Sequence, residues 1–167
     1  MNGACMNDTE RLNHARWTLE RQLTWIAAAD AKVGVVVTLH VAMLGGLGAA
    51  YTAAAAKSSW VNGMATVYAI LALLSLICAA MALWPRTDGP KNSMIYFGCV
   101  IMGRCEDYVD DFKKKGDDFF LTDLAEQVHR NAQIAAKKIS FVGTAMKVAF
   151  AGSLFWVVAV ALLVMPK

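Results

Sequence analysis

The densest run of side chains that could bind an ion or carry out chemistry is DYVDDFKKKGDD, residues 107–118. Its carboxylates are possible metal ligands and its lysines are possible phosphate ligands. Runs of this kind are more often the solvated face of a helix, and the chain contains no HExxH, GxSxG or P-loop motif and no paired His/Asp constellation. The sequence therefore predicts a protein that is not an enzyme, with no catalytic residue, no metal site and no cofactor.

A second set of polar side chains lies at the start of an apolar segment, in IAAADAKVGVVVTLHV, residues 26–41. Asp30 and Lys32 precede the apolar run and His40 lies inside it, while Lys147 lies about one turn into a later apolar run. Charges at that depth are costly unless they have a partner or a function. For His40 we expect a polar contact between helices, with a proton relay as the alternative.

The partner expected for Asp30 is a cation on another helix. We predict an inter-helix lock with one of three lysines, namely Lys137, Lys138 and Lys147. Lys32 is two residues from Asp30 and so points to a different face of the helix. If Lys147 is not the partner, it extends to the membrane interface or contacts a lipid headgroup.

The composition indicates a membrane protein. Of the 167 residues, 57% are hydrophobic and only 17% are charged, and the mean hydropathy is +0.44. A net charge of +3 is too small to indicate a nucleic-acid polymer as partner. The first 25 residues lack the apolar core of a signal peptide, and the cysteines, which form no CxxC pair, are expected to be reduced: Cys5, Cys78, Cys99 and Cys105.

Three stretches are apolar and long enough to cross a bilayer as helices, residues 33–56, 60–84 and 142–165. Lysine and arginine are concentrated before the first span and between the second and the third, so residues 1–32 and 85–139 are expected in the cytoplasm. Small residues four apart predict close helix contacts on the first and third spans; they are Ala42, Gly46 and Ala50, and Ala145, Ala149 and Ser153.

The predicted fold is an all-α integral membrane protein whose cytoplasmic helical module is built from extensions of the first and third spans. Asn7 and Glu10 form a capping-box pattern, and apolar residues from Leu12 through Leu23 to Ile26 make a helical stripe that leads into the first span. A second stripe, from Leu121 to Ile139, leads into the third span, so residues 118–164 are predicted as one helix about 70 Å long. These projecting helices need a partner for their stripes, such as each other, residues 91–115 or a second copy.

Three segments together resemble the Pycsar transmembrane effector family. They are ADAK at the first span, NSMIYFG after the second, and FFLTDLAEQVHRNAQIAAKKISFVGTAMKVAFAG, in which an acidic amphipathic helix runs through a lysine-rich junction into the last span. They occur in the family's order, and the region from the first to the last, residues 29–152, makes up most of the chain. The sequence departs from the family pattern at Val33, where Ala is frequent, and at His40, where Asn is frequent.

The resemblance implies an effector of a bacterial anti-phage system that acts by abortive infection. In such systems a partner pyrimidine cyclase makes cyclic CMP or cyclic UMP, and the effector binds this ligand, impairs the inner membrane and kills or arrests the cell. The implied partners are thus the nucleotide, the bilayer, the cyclase (without a required direct contact) and, in a homo-oligomer, further copies of the chain. Alternatives are an unregulated pore-forming toxin and a non-enzymatic membrane scaffold.

A site for such a nucleotide needs a cation for the phosphate and an aromatic face with polar groups for the base. The candidates are Arg130 and Tyr96, followed by Arg104, Asn92 and Phe97. Each also has a purely structural interpretation, since the aromatic rings could pack and Arg130 could solvate a helix. The candidates for coupling at the membrane junction are Asp30, Lys32, His40 and Lys147.

Overall fold

The computed structural model describes residues 6–55 and 57–165. These residues form five α-helices and no β-strand: α1 (Asp8–Ala53), α2 (Ser59–Leu83), α3 (Phe97–Val100), α4 (Cys105–Lys114) and α5 (Asp117–Val164). Within them, α1, α2 and α5 are long and apolar enough to cross a membrane. The predicted fold class, an all-α membrane protein with extended first and third spans, is confirmed.

The first helix begins at the expected capping box, and α5 begins with acidic residues. The Asn7 amide donates to Glu10 Oε2 at 3.0 Å, and the Glu10 amide donates to Asn7 Oδ1 at 2.8 Å, which is the reciprocal capping box. At the start of α5, Asp117 and Asp118 place negative charge in the first turn, where the helix dipole favours it. α1 ends at Ala53, and Ala56, the end of the predicted first span, lies outside the described residues, as do residues 1–5, Pro166 and Lys167.

The less exposed residues of α1 and α5 follow an alternating spacing of three and four along each helix. Such a 3.5-residue period keeps one seam on one side of a helix, as in coiled coils. In α1 the seam positions are Leu12, Ala15, Leu19, Gln22, Ile26, Ala29, Val33, Val36, His40, Met43 and Leu47. In α5 they are Leu121, Leu124, Val128, Asn131, Ala135, Lys138, Val142, Ala145, Ala149, Gly152, Trp156, Ala159 and Leu163.

These seams correct two expected stripe positions. Leu23 is 50% exposed and Ile139 is 52% exposed. Each is one residue beyond a seam position, after Gln22 and Lys138 respectively, and one residue turns a helix by about 100°. The seam register therefore selects a polar residue for the buried side at both places.

The chain divides into two compact units. We call residues 28–84 and 137–165 the membrane unit, and residues 6–27 and 85–136 the polar unit, within the described part of the chain. α1 and α5 each contribute residues to both units.

Small side chains fill much of the membrane unit's interior. One core cluster joins all three helices through Ala29, Val33, Val36, Ala79, Ala82, Val142 and Ala145. On α5, Ala145 and Ala149 are buried as expected. On the predicted small face of α1, Gly46 packs near Trp156, whereas Ala42 is exposed. The close approach lets Ser75 Oγ donate to the Ala145 carbonyl at 2.8 Å and Trp156 Nε1 donate to the Met43 carbonyl at 2.6 Å.

Candidate functional site

The loop that begins at Ser93 is anchored to α5 by buried polar side chains. Asp123 Oδ2 accepts the Met94 amide at 2.8 Å, and Gln127 Nε2 donates to Ser93 Oγ at 3.0 Å. Ser93 Oγ also accepts the amides of Ile95 and Tyr96, which closes a tight turn. Because Ser93, Asp123 and Gln127 are all buried, this network fixes the loop against one face of α5.

Tyr96 holds the two ends of its own loop together. Its hydroxyl donates to the Thr87 carbonyl, and its ring packs against Phe97 with centroids 4.9 Å apart. A Cβ at Gly89 or Gly98 would lie 2.6 or 2.5 Å from ring carbons of Tyr96, so both glycines are needed for this close approach. In this arrangement Tyr96 is occupied with structural contacts.

A cavity of about 920 Å³ in the polar unit, hereafter the larger cavity, lies between this loop and α4. That volume is within the range of small-molecule sites. Asn92 and Tyr96, two of the predicted nucleotide ligands, line it, and so do the lysines and aromatic rings that such a site requires: Lys91, Lys115, Tyr108 and Phe119. Asn92 has a second role, because its φ of 62° is the left-handed conformation that asparagine tolerates in turns.

Arg130 lines a different cavity, of about 770 Å³, together with Asp88 and His129. Its Nε donates to the Asp88 carbonyl at 2.8 Å, one terminal nitrogen bonds the Asp88 carboxylate, and the other donates to Gln133 Oε1 at 3.0 Å. The guanidinium thus anchors residue 88 on α5. A phosphate at Arg130 would have to compete with Asp88.

The remaining two predicted ligands lie outside both cavities. Arg104 is paired with Glu106 at 2.8 Å, and both side chains are exposed. Phe97 is more than half exposed beside Tyr96. The structure therefore brings Asn92 and Tyr96 to one cavity and does not bring Arg130, Arg104 or Phe97 there.

Sequence reasoning missed Lys91 and Lys115 as cavity residues, and Asp123 and Gln127 as anchors. One signal for the anchors was available, because Asp123 and Gln127 are four apart and next to the apolar stripe of α5, so they share a face. Lys115 stood in the run of residues 107–118, which was interpreted as a solvated helix face, whereas Lys91 lies outside that run. Among the described residues, no three His, Cys, Asp or Glu side chains are grouped as metal ligands.

Asp123→Ala tests the loop anchor. The substitution leaves the half-buried Met94 amide without its acceptor, which costs about 1–3 kcal/mol locally. We expect the amides of residues 94–96 to exchange with solvent at least tenfold faster, measured by hydrogen exchange with mass spectrometry. Asp118→Ala, in the exposed first turn of α5, is the control, and equal exchange in the two variants would contradict the anchoring role.

The junction residues Asp30, Lys32, His40 and Lys147 all belong to the membrane unit. Lys138 Nζ lies 2.5 Å from Asp30 Oδ1, so Lys138 is the partner among the three lysines considered. His40 is fully buried and its Nδ1 lies 3.5 Å from the Tyr68 hydroxyl, a polar contact between α1 and α2. Lys32 and Lys147 are exposed.

The three cysteines that the structure describes form no disulfide. Cys78, Cys99 and Cys105 are free thiols, and Cys5 lies outside the described residues. Cys99 lines the larger cavity, where its Sγ donates to the Pro90 carbonyl at 3.3 Å.

The similarity to known proteins extends over both units. A family model described as the Pycsar effector protein domain matches residues 14–165. The curated Pycsar effector protein PtPycTM of Propioniciclava tarda is 26% identical over 137 residues, which are 77% of this chain and 68% of that protein. No solved structure matches the chain.

Proposed function

Because the chain belongs to the Pycsar effector family and so acts in anti-phage defence, we propose that it senses a cyclic pyrimidine nucleotide and impairs the bacterial inner membrane. The ligand is cyclic CMP or cyclic UMP, made by a partner cyclase after infection, and the outcome is death or arrest of the infected cell. The chain catalyses no reaction in this scheme. The observation that carries the proposal is the family match over residues 14–165, which includes both the polar and the membrane unit.

The polar unit is the sensor, on the cytoplasmic side of the inner membrane. The excess of lysine and arginine in residues 6–32 and 85–139 supports this orientation through the positive-inside rule. A messenger made in the cytoplasm then reaches both cavities of the polar unit without crossing the bilayer.

The larger cavity is the better candidate for the nucleotide. Lys91 and Lys115 supply cations for the cyclic phosphate, and Tyr108 supplies an aromatic ring for the base. One face of Phe119 is already covered by the Lys115 ammonium, 4.5 Å from the ring centre. The second cavity offers Arg130 as its cation, and the Asp88 carboxylate already neutralises that charge. Asp111 also lines the larger cavity and would repel a phosphate, so the charge of Lys115, the residue just past the end of α4, is needed to offset it.

Signal transfer is assigned to α1 and α5, which contribute to both units. A ligand shifts the equilibrium between two helix arrangements only if it binds one of them more tightly. The half-buried pair of Asp30 and Lys138 stabilises the resting arrangement, in which the small side chains of the membrane unit are close packed. Membrane damage then requires several copies of the chain, because the described spans of one copy pack their interior with apolar and small side chains.

Membrane potential in bacteria that express the full chain tests this function. An inducible cyclase supplies cyclic UMP, cyclic CMP or a purine cyclic nucleotide as control. We expect depolarisation with one pyrimidine messenger alone, and Lys115→Gln to raise the messenger concentration needed by about tenfold through loss of a charge-assisted contact. Lys113→Gln, two residues earlier in the last turn of α4 and outside the cavity, should leave the required messenger concentration unchanged.

Two results would contradict the proposal. Depolarisation without any messenger would favour the unregulated pore-forming toxin. An unchanged potential in every arm, with the protein shown to be in the membrane, would favour the scaffold.

A further inference from the structure

We propose that Lys147 binds the phosphate group of a membrane phospholipid on the outer surface of α5, in the leaflet at the Lys138 end of the spans. The inference concerns the membrane unit alone and does not depend on the proposed function. Three observations support it. The Lys147 side chain points away from the interior of the membrane unit, it lies within the apolar part of α5, and none of the described residues pairs with it.

Lys147 points away from the interior of the membrane unit. Ala145 and Ala149, two residues before and after it, are 1% and 3% exposed and belong to the buried seam. Two residues turn a helix by about 200°, so Lys147 lies on the opposite side. Phe150 and Leu154 are 71% and 69% exposed, so large apolar side chains flank the lysine on the surface that faces lipid.

Lys147 also lies inside the apolar part of the helix. It is the only charged residue between Phe141 and Val164, and it follows Phe141 by six residues, or about 9 Å. A cation at that position is costly in hydrocarbon unless its head reaches an anion or the interface.

The membrane unit offers no carboxylate to Lys147. Asp30 is the only Asp or Glu in the sequence of residues 28–84 and 137–167, and its Oδ1 is 2.5 Å from Lys138 Nζ. Across the described residues, no hydrogen bond or ion pair reaches the Lys147 ammonium. The anion must therefore come from outside the unit, and phospholipid phosphate is the anion that every part of a bilayer surface supplies.

The surface of α5 leaves a path for this contact. Long side chains in a helix lean toward its N-terminal end, which for Lys147 is the end at Lys138. Gly143, one turn back, has no side chain, and its outward side is open, since a Cβ there would meet nothing within 4 Å. Ser140, a further turn back, is exposed and provides a hydroxyl donor beside the path. A phosphate at that place would interact with the Lys147 ammonium, which acts as a compact point charge.

Native mass spectrometry of the full chain in detergent, titrated with phosphatidylglycerol, tests the site. We expect Lys147→Gln to raise the lipid concentration for half occupancy of one lipid by at least threefold. Lys147→Arg should stay within twofold of the wild type because it keeps the charge. Lys57→Gln removes another exposed lysine of the same unit and should change nothing.

Diacylglycerol with the same acyl chains separates phosphate recognition from simple contact with lipid tails. We expect it to bind the wild type and Lys147→Gln equally, and more weakly than phosphatidylglycerol binds the wild type. Equal phosphatidylglycerol binding by the wild type and Lys147→Gln, or an equal loss in Lys57→Gln, would overturn the proposal.

A measurement on the wild-type protein removes any dependence on the folding of a variant. A photoreactive phosphatidylglycerol with its reactive group beside the phosphate should label the tryptic peptide Ile139–Lys147 in membranes. Labelling confined to other peptides of the chain would overturn the proposal as well.

Discussion

Asp30→Ala is expected to depolarise bacterial membranes without any messenger. The substitution leaves the Lys138 ammonium, whose side chain is only 12% exposed, without the carboxylate that lies 2.5 Å from it. Removing one partner of a buried ion pair costs about 3–5 kcal/mol, and the partial exposure of Asp30 reduces this to about 1–3 kcal/mol. A loss of that size changes an equilibrium constant by about 5- to 150-fold, and we expect it to shift the spans from the resting arrangement toward the active one.

The measurement is membrane potential without a cyclase, together with the melting temperature of the purified variant. Lys137→Ala is the matched control, because Lys137 is next to Lys138 in the sequence but is exposed. This variant should behave as the wild type. Exchanging the charges in Asp30→Lys with Lys138→Asp should restore most of the resting state. If Asp30→Ala and Lys137→Ala gave the same resting potential and the same messenger response, the pair would not control activation.

The parts of the fold that local patterns determine were predictable from the sequence. The capping box at Asn7, the long α1 and α5 and the three spans follow from spacing and hydropathy within short windows. The cation for Asp30 could only be narrowed to three lysines, because the choice depends on how α1 and α5 are aligned along their axes. One residue of offset separates Lys138 in the seam from Lys137 on the exposed side.

The candidate site was predictable only in part, because its geometry comes from long-range contacts. Tyr96 and Asn92 were selected for their chemistry and do line the larger cavity. Arg130 was selected for its charge, yet its place was set by Asp88, 42 residues earlier, which no local pattern specifies. The buried hydrogen bond between Ser93 and Gln127 joins residues that are 34 apart in the sequence, so no local pattern could predict it either.

Ala145→Leu is expected to destabilise the membrane unit more than any surface substitution. Ala145 is almost completely buried, and its carbonyl accepts the Ser75 hydroxyl at 2.8 Å, which indicates that the backbones of α2 and α5 approach closely there. A leucine has no room in that contact and must separate the helices, which also breaks the Ser75 hydrogen bond. Overpacking of this kind costs about 1–3 kcal/mol, to which the lost bond adds about 1 kcal/mol.

The same substitution six residues later isolates the effect of packing from that of hydrophobicity. Ala151 lies on the exposed side of α5, so Ala151→Leu adds apolar surface toward lipid and should leave the melting temperature in detergent nearly unchanged. Ala145→Gly keeps the space open and should lose only about 1 kcal/mol of helix propensity. If the seam is close packed, the melting temperature should fall in the order Ala151→Leu, Ala145→Gly, Ala145→Leu. Equal melting temperatures for the two leucine variants would mean that the helices separate at Ala145 without cost, and the resting arrangement would then depend on Asp30 and Lys138 rather than on the packing of small side chains.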